Sequence, residues 1–177
     1  MAKDTRNALL DAADRVVTQT GVNNLTLEKV AAEAGVSKGG LLYHFPNKDA
    51  LITGMIERLM HDFSEAIAAL MAADPDPDGR WLRAFINATF TPEFAQVERS
   101  AGLLAAASTD TALLDPFRVQ FAAWQDRAAA ASDDPAVGTL IRLAADGLWF
   151  AELLGISPLD DATRESVRQT LITLTRQ

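Results

Sequence analysis

The sequence predicts an all-α fold, and three observations lead there. Apolar residues recur at three- and four-residue spacing along most of the chain, the period that lines one face of an α-helix. Period-two alternation, the mark of a half-buried strand, is nearly absent. The periodic stretches end at Gly and Pro or at short polar clusters, which stop one helix and cap the next.

The first helix runs from roughly Thr5 to Thr20. Leu9, Ala13, Val16 and Val17 face inward, and Gly21 stands just past the end, where a left-handed residue often closes a helix. Thr26 caps a short second helix, with Glu28 at its positive end and Val30, Ala31 and Ala34 on the inner face. Gly35 breaks that helix, and Ser37 caps a third through about Tyr43. Pro46 forbids continuation. Asn47 then caps a fourth helix from about Lys48 to Ala72, striped by Leu51, Met55, Leu59, Phe63, Ile67 and Leu70. Asp74-Pro75-Asp76-Pro77-Asp78-Gly79 is the strongest linker signal in the chain. Further helices are expected around Trp81–Thr89, Pro92–Ala107, Leu113–Ala131, Pro135–Leu154 and Asp160–Thr175, with Asp160 as a cap. The expected architecture is a three-helix head, residues 1–46, on a six-helix body, residues 47–177.

At 177 residues and 49% hydrophobic, the chain has enough apolar surface for a packed core. It has no cysteine, which excludes disulfides and thiolate metal sites and fits a cytoplasmic location. The first residues lack the apolar core of a signal peptide, and no run of about 18 apolar residues is present. A net charge of −8 argues against a general polyanion binder. That charge is uneven: residues 1–48 carry +1 and the remainder −9, which confines any contact with nucleic acid to the head. No phosphate loop, nucleophile elbow or Ser/His/Asp arrangement stands out, so neither an enzyme nor a cofactor is expected. The two histidines, His44 and His61, lack partners at metal-ligand spacing.

Residues Thr26 to Lys48 lay out two short helices around a tight, Gly-containing turn, the pattern of a helix-turn-helix. Ala31 and Ala34 are small enough for close helix approach, and Val36 and Leu41 can lock the second helix onto the first. Folding alone does not explain the third helix. Gly39 and Gly40 each cost about 0.5–1 kcal/mol there relative to Ala. Lys38 and Lys48 sit on the unfavourable side of the helix macrodipole, a placement useful against phosphate.

The run Val30-Ala31-Ala32-Glu33-Ala34-Gly35-Val36-Ser37-Lys38-Gly39-Gly40-Leu41-Leu42-Tyr43-His44-Phe45-Pro46-Asn47-Lys48-Asp49-Ala50-Leu51 resembles the DNA-binding domain of the TetR family of bacterial regulators. The Tyr43-His44-Phe45 triplet followed by Asn47-Lys48 and Leu51 is its most specific part. The resemblance implies that Lys38, Gly39 and Leu42 face the major groove. It implies too that Thr26, Ser37, Tyr43, His44 and Lys48 lie against phosphates. Leu42 departs from the aromatic or polar residue often found there, leaving apolar contact with a thymine methyl. Phe45 reads as core.

Ten of the twelve aromatic residues follow the head. They suit a core, and they also suit the apolar wall of a small-molecule site. The resemblance implies an inducer cavity in the body, with Trp81, Phe85, Phe90, Leu103, Phe117, Phe121, Trp124 and Trp149 as its candidate lining. Asp146, inside the apolar stretch Leu140–Leu154, needs a partner if buried; a cationic ligand and Arg142 one turn earlier both qualify. That stretch is apolar almost all round and must be covered on both sides. The resemblance implies a homodimer through a four-helix bundle of the last two helices, with Val167, Leu171 and Leu174 as the second stripe and Ala144 and Ala145 at the crossing. The expected function is a ligand-responsive regulator, a repressor, that binds operator DNA as a homodimer and is released by a small apolar effector, cationic if Asp146 faces it. The alternatives are a ligand-independent DNA-binding or protein-interaction module and, against the missing acid/base constellation, a helical enzyme.

Overall fold

The computed structural model describes residues 2–95, 97–107, 110–156 and 159–176. Among them every regular element is helical. The helices are α1 (Ala2–Thr20), α2 (Leu27–Glu33), α3 (Lys38–His44), α4 (Lys48–Ala73), α5 (Arg80–Phe90), α6 (Pro92–Ala95), α7 (Val97–Ala107), α8 (Asp115–Ala130), α9 (Pro135–Leu153) and α10 (Asp161–Leu174). Short 3₁₀ turns at Val22–Asn24 and Thr111–Leu114 precede α2 and α8. No helix among the described residues is long and apolar enough to cross a membrane. The all-α expectation holds.

The chain forms two compact units. The first contains Met1–Leu59 and Glu98–Phe117; the second contains Met60–Val97 and Arg118–Gln177. In the first, Leu9, Leu10, Leu25, Val30, Leu41, Leu51, Met55 and Ile56 are fully buried. Two local devices set its geometry. Gly35 adopts φ +66 between α2 and α3, a left-handed turn that a Cβ would strain. Arg58, on α4, reaches Asp11 and Asp14 of α1 at 2.5 Å each and ties the two helices together.

In the second unit α5 is the central helix, buried at nine of its eleven positions and packed against α9 and α10. Arg164 of α10 donates to the Phe90 carbonyl at 2.8 Å, and Arg168 donates to Asn87 Oδ1 at 2.8 Å. The segment Asp74–Gly79 does break α4 from α5, yet it is no free spacer. It wraps the buried Arg83 guanidinium, which donates to the Asp74 carboxylate at 2.8 Å and to the carbonyls of Asp76 and Asp78 at 2.8 and 2.5 Å. A buried charge is tolerated only with such full pairing.

Two residues expected in a dimer seam belong to this core instead. Leu171 and Ala145 are buried within the unit. The outward face of α9 carries Leu140, Leu143, Gly147 and Phe150, continued by Leu154 just past its end, all exposed.

Candidate functional site

The helix-turn-helix is assembled from local chemistry. The Thr26 hydroxyl accepts the Lys29 N–H at 3.2 Å, capping α2, and the Ser37 hydroxyl accepts the Gly40 N–H at 3.1 Å, capping α3. Each hydroxyl keeps its own O–H to donate, which suits a phosphate oxygen. Asn47 Oδ1 accepts the Ala50 N–H at 2.7 Å and starts α4. Leu41 and Phe45 anchor α3 from beneath. Phe45 lies under the Arg6 guanidinium, 5.2 Å from ring centroid to Cζ. Gly54 leaves it room: a Cβ there would stand 2.8 Å from the Phe45 ring.

Above that core, Lys38, Gly39, Gly40 and Tyr43 are exposed on α3, and Tyr43 is 83% open. Leu42, His44 and Lys48 are half-buried, and the His44 ring meets Tyr43 edge-on at 5.1 Å. An aromatic left that open serves no packing role. Cations within 1–59 divide into two sets. Arg6 pairs with Glu57, Arg15 with Glu33, Arg58 with Asp11 and Asp14, and Lys38 with Glu28. Among the described side chains of that segment, Lys29 and Lys48 carry no ion pair.

The candidate lining residues fall in both units. Leu103 and Phe117 are buried in the first unit, and the others belong to the second. There, Trp81 stacks on Phe85 at 5.1 Å, and Trp124 meets Phe85 at 5.7 Å and Phe121 at 5.3 Å. Phe63, outside the expected lining, completes the group at 5.2 Å from Trp124. Its place on the α4 stripe was the available signal. Trp149 contacts Phe150, and Phe90 lies under Arg164. A polar cleft of about 430 Å³ lies elsewhere in the unit, between Pro77–Gly79, Ala130–Asp133 and Thr175–Arg176.

Asp146 has its partner within the chain. Arg142 binds its carboxylate and also donates to Gln125 Oε1 at 2.7 Å, and Gln125 in turn donates to Thr139. Burial pushes the Asp146 carboxyl up to about 6, and the adjacent Arg142 guanidinium offsets only part of that rise. Between about pH 4 and about pH 6 the folded chain therefore holds a proton that the unfolded chain has released. The group's stabilisation is fully present below about pH 4 and is lost as pH rises through about 6. Asp146→Asn does not titrate. Its stability relative to wild type should thus rise by about 2 kcal/mol between pH 4.5 and 7.5, read from paired thermal melts. A pH-independent difference would contradict this.

Comparison with known proteins bears on both units. Residues 9–55 match the family model described as bacterial regulatory proteins, tetR family, and residues 79–176 match the tetracyclin repressor-like C-terminal domain. The chain is 31% identical over 77 residues to the HTH-type transcriptional regulator TtgR of Pseudomonas putida, covering 44% of this chain and 36% of TtgR. It is 40% identical over 57 residues to the transcriptional repressor BepR of Brucella suis, covering 32% of this chain and 27% of BepR. These matches span about a third of the length of those relatives. Among solved structures, the multidrug binding protein EbrR in complex with ethidium superposes with a TM-score of 0.70 at 29% identity, covering 96% of this chain and 98% of EbrR. A TetR family member from Streptomyces coelicolor superposes at 0.69 and 27% identity, covering 96% and 97%. With the helix-turn-helix and the C-terminal helices each matched by its own model, the chain belongs to the TetR family of bacterial transcriptional regulators.

Proposed function

We propose that this chain is a ligand-responsive transcriptional repressor that binds operator DNA as a homodimer. The observation that carries the reading is the open face of α3: a capped helix with two bare glycines, a fully presented Tyr43, and Lys48 unpaired beside it. Buried groups hold that face rigid from below, and rigid placement is what groove recognition requires. Lys48→Ala should weaken binding to specific and mixed-sequence duplexes alike, and lower the slope of log affinity against log salt by roughly one unit. Titration of labelled duplexes across a salt series checks this. Binding without salt dependence, or an unaffected variant, would refute it.

The homodimer rests on the outward stripe of α9. Leu140 and Leu154 are 58% and 62% exposed, an arrangement that a second copy would cover. Beside it, α10 turns out Thr163, Ser166, Thr170 and Thr173. The hydroxyls of Thr170 and Thr173 bond back to their own helix, so small apolar methyls remain for close packing.

The effector site belongs to the second unit, where the rings of Phe63, Trp81, Phe85, Phe121 and Trp124 would part around a small flat molecule. Arg142 already neutralises Asp146, so the packing favours apolar character over positive charge in that molecule. Control follows from differential affinity. A ligand that prefers a conformation with mis-spaced heads releases operator by that preference and no more.

A further inference from the structure

Among the described residues three arginines lie over aromatic rings. Two of them are also held by carboxylates, Arg6 by Glu57 and Arg164 by Glu152. Arg127 of α8 is not. Its Cζ stands 5.6 Å from the centroid of the Trp81 ring, and among the described residues its side chain forms no ion pair and no hydrogen bond. Arg127 is exposed, while Trp81 is only 5% exposed and stacks on Phe85 at 5.1 Å. A hydrated guanidinium resting on a ring is a weak, exchangeable contact. Arg127 is thus a cover over one ring of the aromatic cluster that a stronger partner can lift.

We propose that Arg127 selects a flat aromatic acid as the effector of that cluster, an inference that rests on the ligand-responsive role proposed above. The ligand's ring takes the place of the guanidinium over Trp81, and its carboxylate pairs with the displaced Arg127. A guanidinium carries five N–H donors in a planar fork and no acceptor, which matches the two oxygens of a carboxylate. The exchange gives up one cation–π contact for a ring–ring contact and a charge-assisted pair. A neutral ligand gains the ring contact alone. A cationic ligand would stand beside a like charge, and Asp146, the acid that could offset it, is already held by Arg142.

The test is isothermal titration calorimetry on the full chain with three probes that share one ring system: naphthoate, naphthamide and naphthylmethylammonium. Wild type should bind naphthoate about 10-fold or more tighter than naphthamide. Arg127→Ala should level the two and leave naphthamide bound no more weakly than before. Arg127→Lys, which keeps the charge without the fork, should retain part of the preference. The exposed site leaves the fold intact, which circular dichroism verifies. Naphthoate should also release an operator duplex from wild type at concentrations that leave it bound to Arg127→Ala. An Arg127→Ala chain that keeps the preference overturns the inference. So does a wild type that binds naphthamide or the ammonium as tightly as naphthoate. In both cases release of DNA by the bound probe leaves the ligand-responsive role standing. If none of the three binds wild type at millimolar concentration, the effector site and this inference fall together.

Discussion

Gly138→Ala is expected to destabilise the protein, although the same exchange stabilises an ordinary helix by about 1 kcal/mol. Gly138 lies in the first turns of α9 and is buried. A Cβ there would stand 2.0 Å from the Ala128 carbonyl oxygen and 2.9 Å from its carbon, near the end of α8. The obstacle is backbone, not a flexible side-chain tip, so α8 and α9 must move apart to admit the methyl. Overpacking of that kind costs about 1–3 kcal/mol or more, enough to outweigh the propensity gain. The separation would also disturb the Gln125–Arg142 and Gln125–Thr139 bonds that link the two helices. We expect a net loss of about 2 kcal/mol, or roughly 4–8 °C in melting temperature for a chain of this size. A variant that melts at or above the wild-type temperature would show that the two helices do not approach so closely.

Gly147→Arg should do the reverse to the fold and far more to the assembly. This glycine is on the same helix, yet a Cβ there meets nothing within 4 Å. Arginine is a good helix former, so the protomer should gain up to about 1 kcal/mol. Gly147 also sits midway along the exposed stripe of Leu143 and Phe150, where two copies of α9 would cross most closely. A guanidinium at that crossing would be desolvated against its twin, a penalty of several kcal/mol. The proposed dimer should weaken by at least about 100-fold, appearing as a monomer at micromolar concentration by sedimentation or light scattering. Operator affinity should fall with it, because each head then binds its half-site alone. A folded variant that stays dimeric would exclude this stripe as the interface.

These two glycines mark how far the sequence reached. Helix order was legible throughout, because periodicity and punctuation are written locally. The caps at Thr26, Ser37, Asn47 and Asp160 were legible for the same reason, each side chain bonding an N–H three residues on. The helix-turn-helix emerged from one short run, and Gly35 stands in the left-handed turn that its spacing required.

Facing was not legible wherever a helix is apolar on several sides. In α9 the sequence could not tell the buried Ala145 from the exposed Leu143, since hydrophobicity alone does not say which neighbour covers which stripe. Leu171 looked like a seam residue, but α10 turns it inward onto the second unit's core. Asp146 had two possible partners until packing placed Arg142 against it. The acidic linker looked like a spacer until Arg83, five residues beyond its last aspartate carboxylate, proved to fill it. Apart from the Arg142–Asp146 pair, one helical turn apart, each case turns on residues that local pattern does not connect. Local hydrogen bonding and hydrophobic period fixed which segments are helices and where they start, whereas packing, in which each face is buried only by what happens to cover it, decided which residues are core, which are paired and which remain for DNA or a second chain.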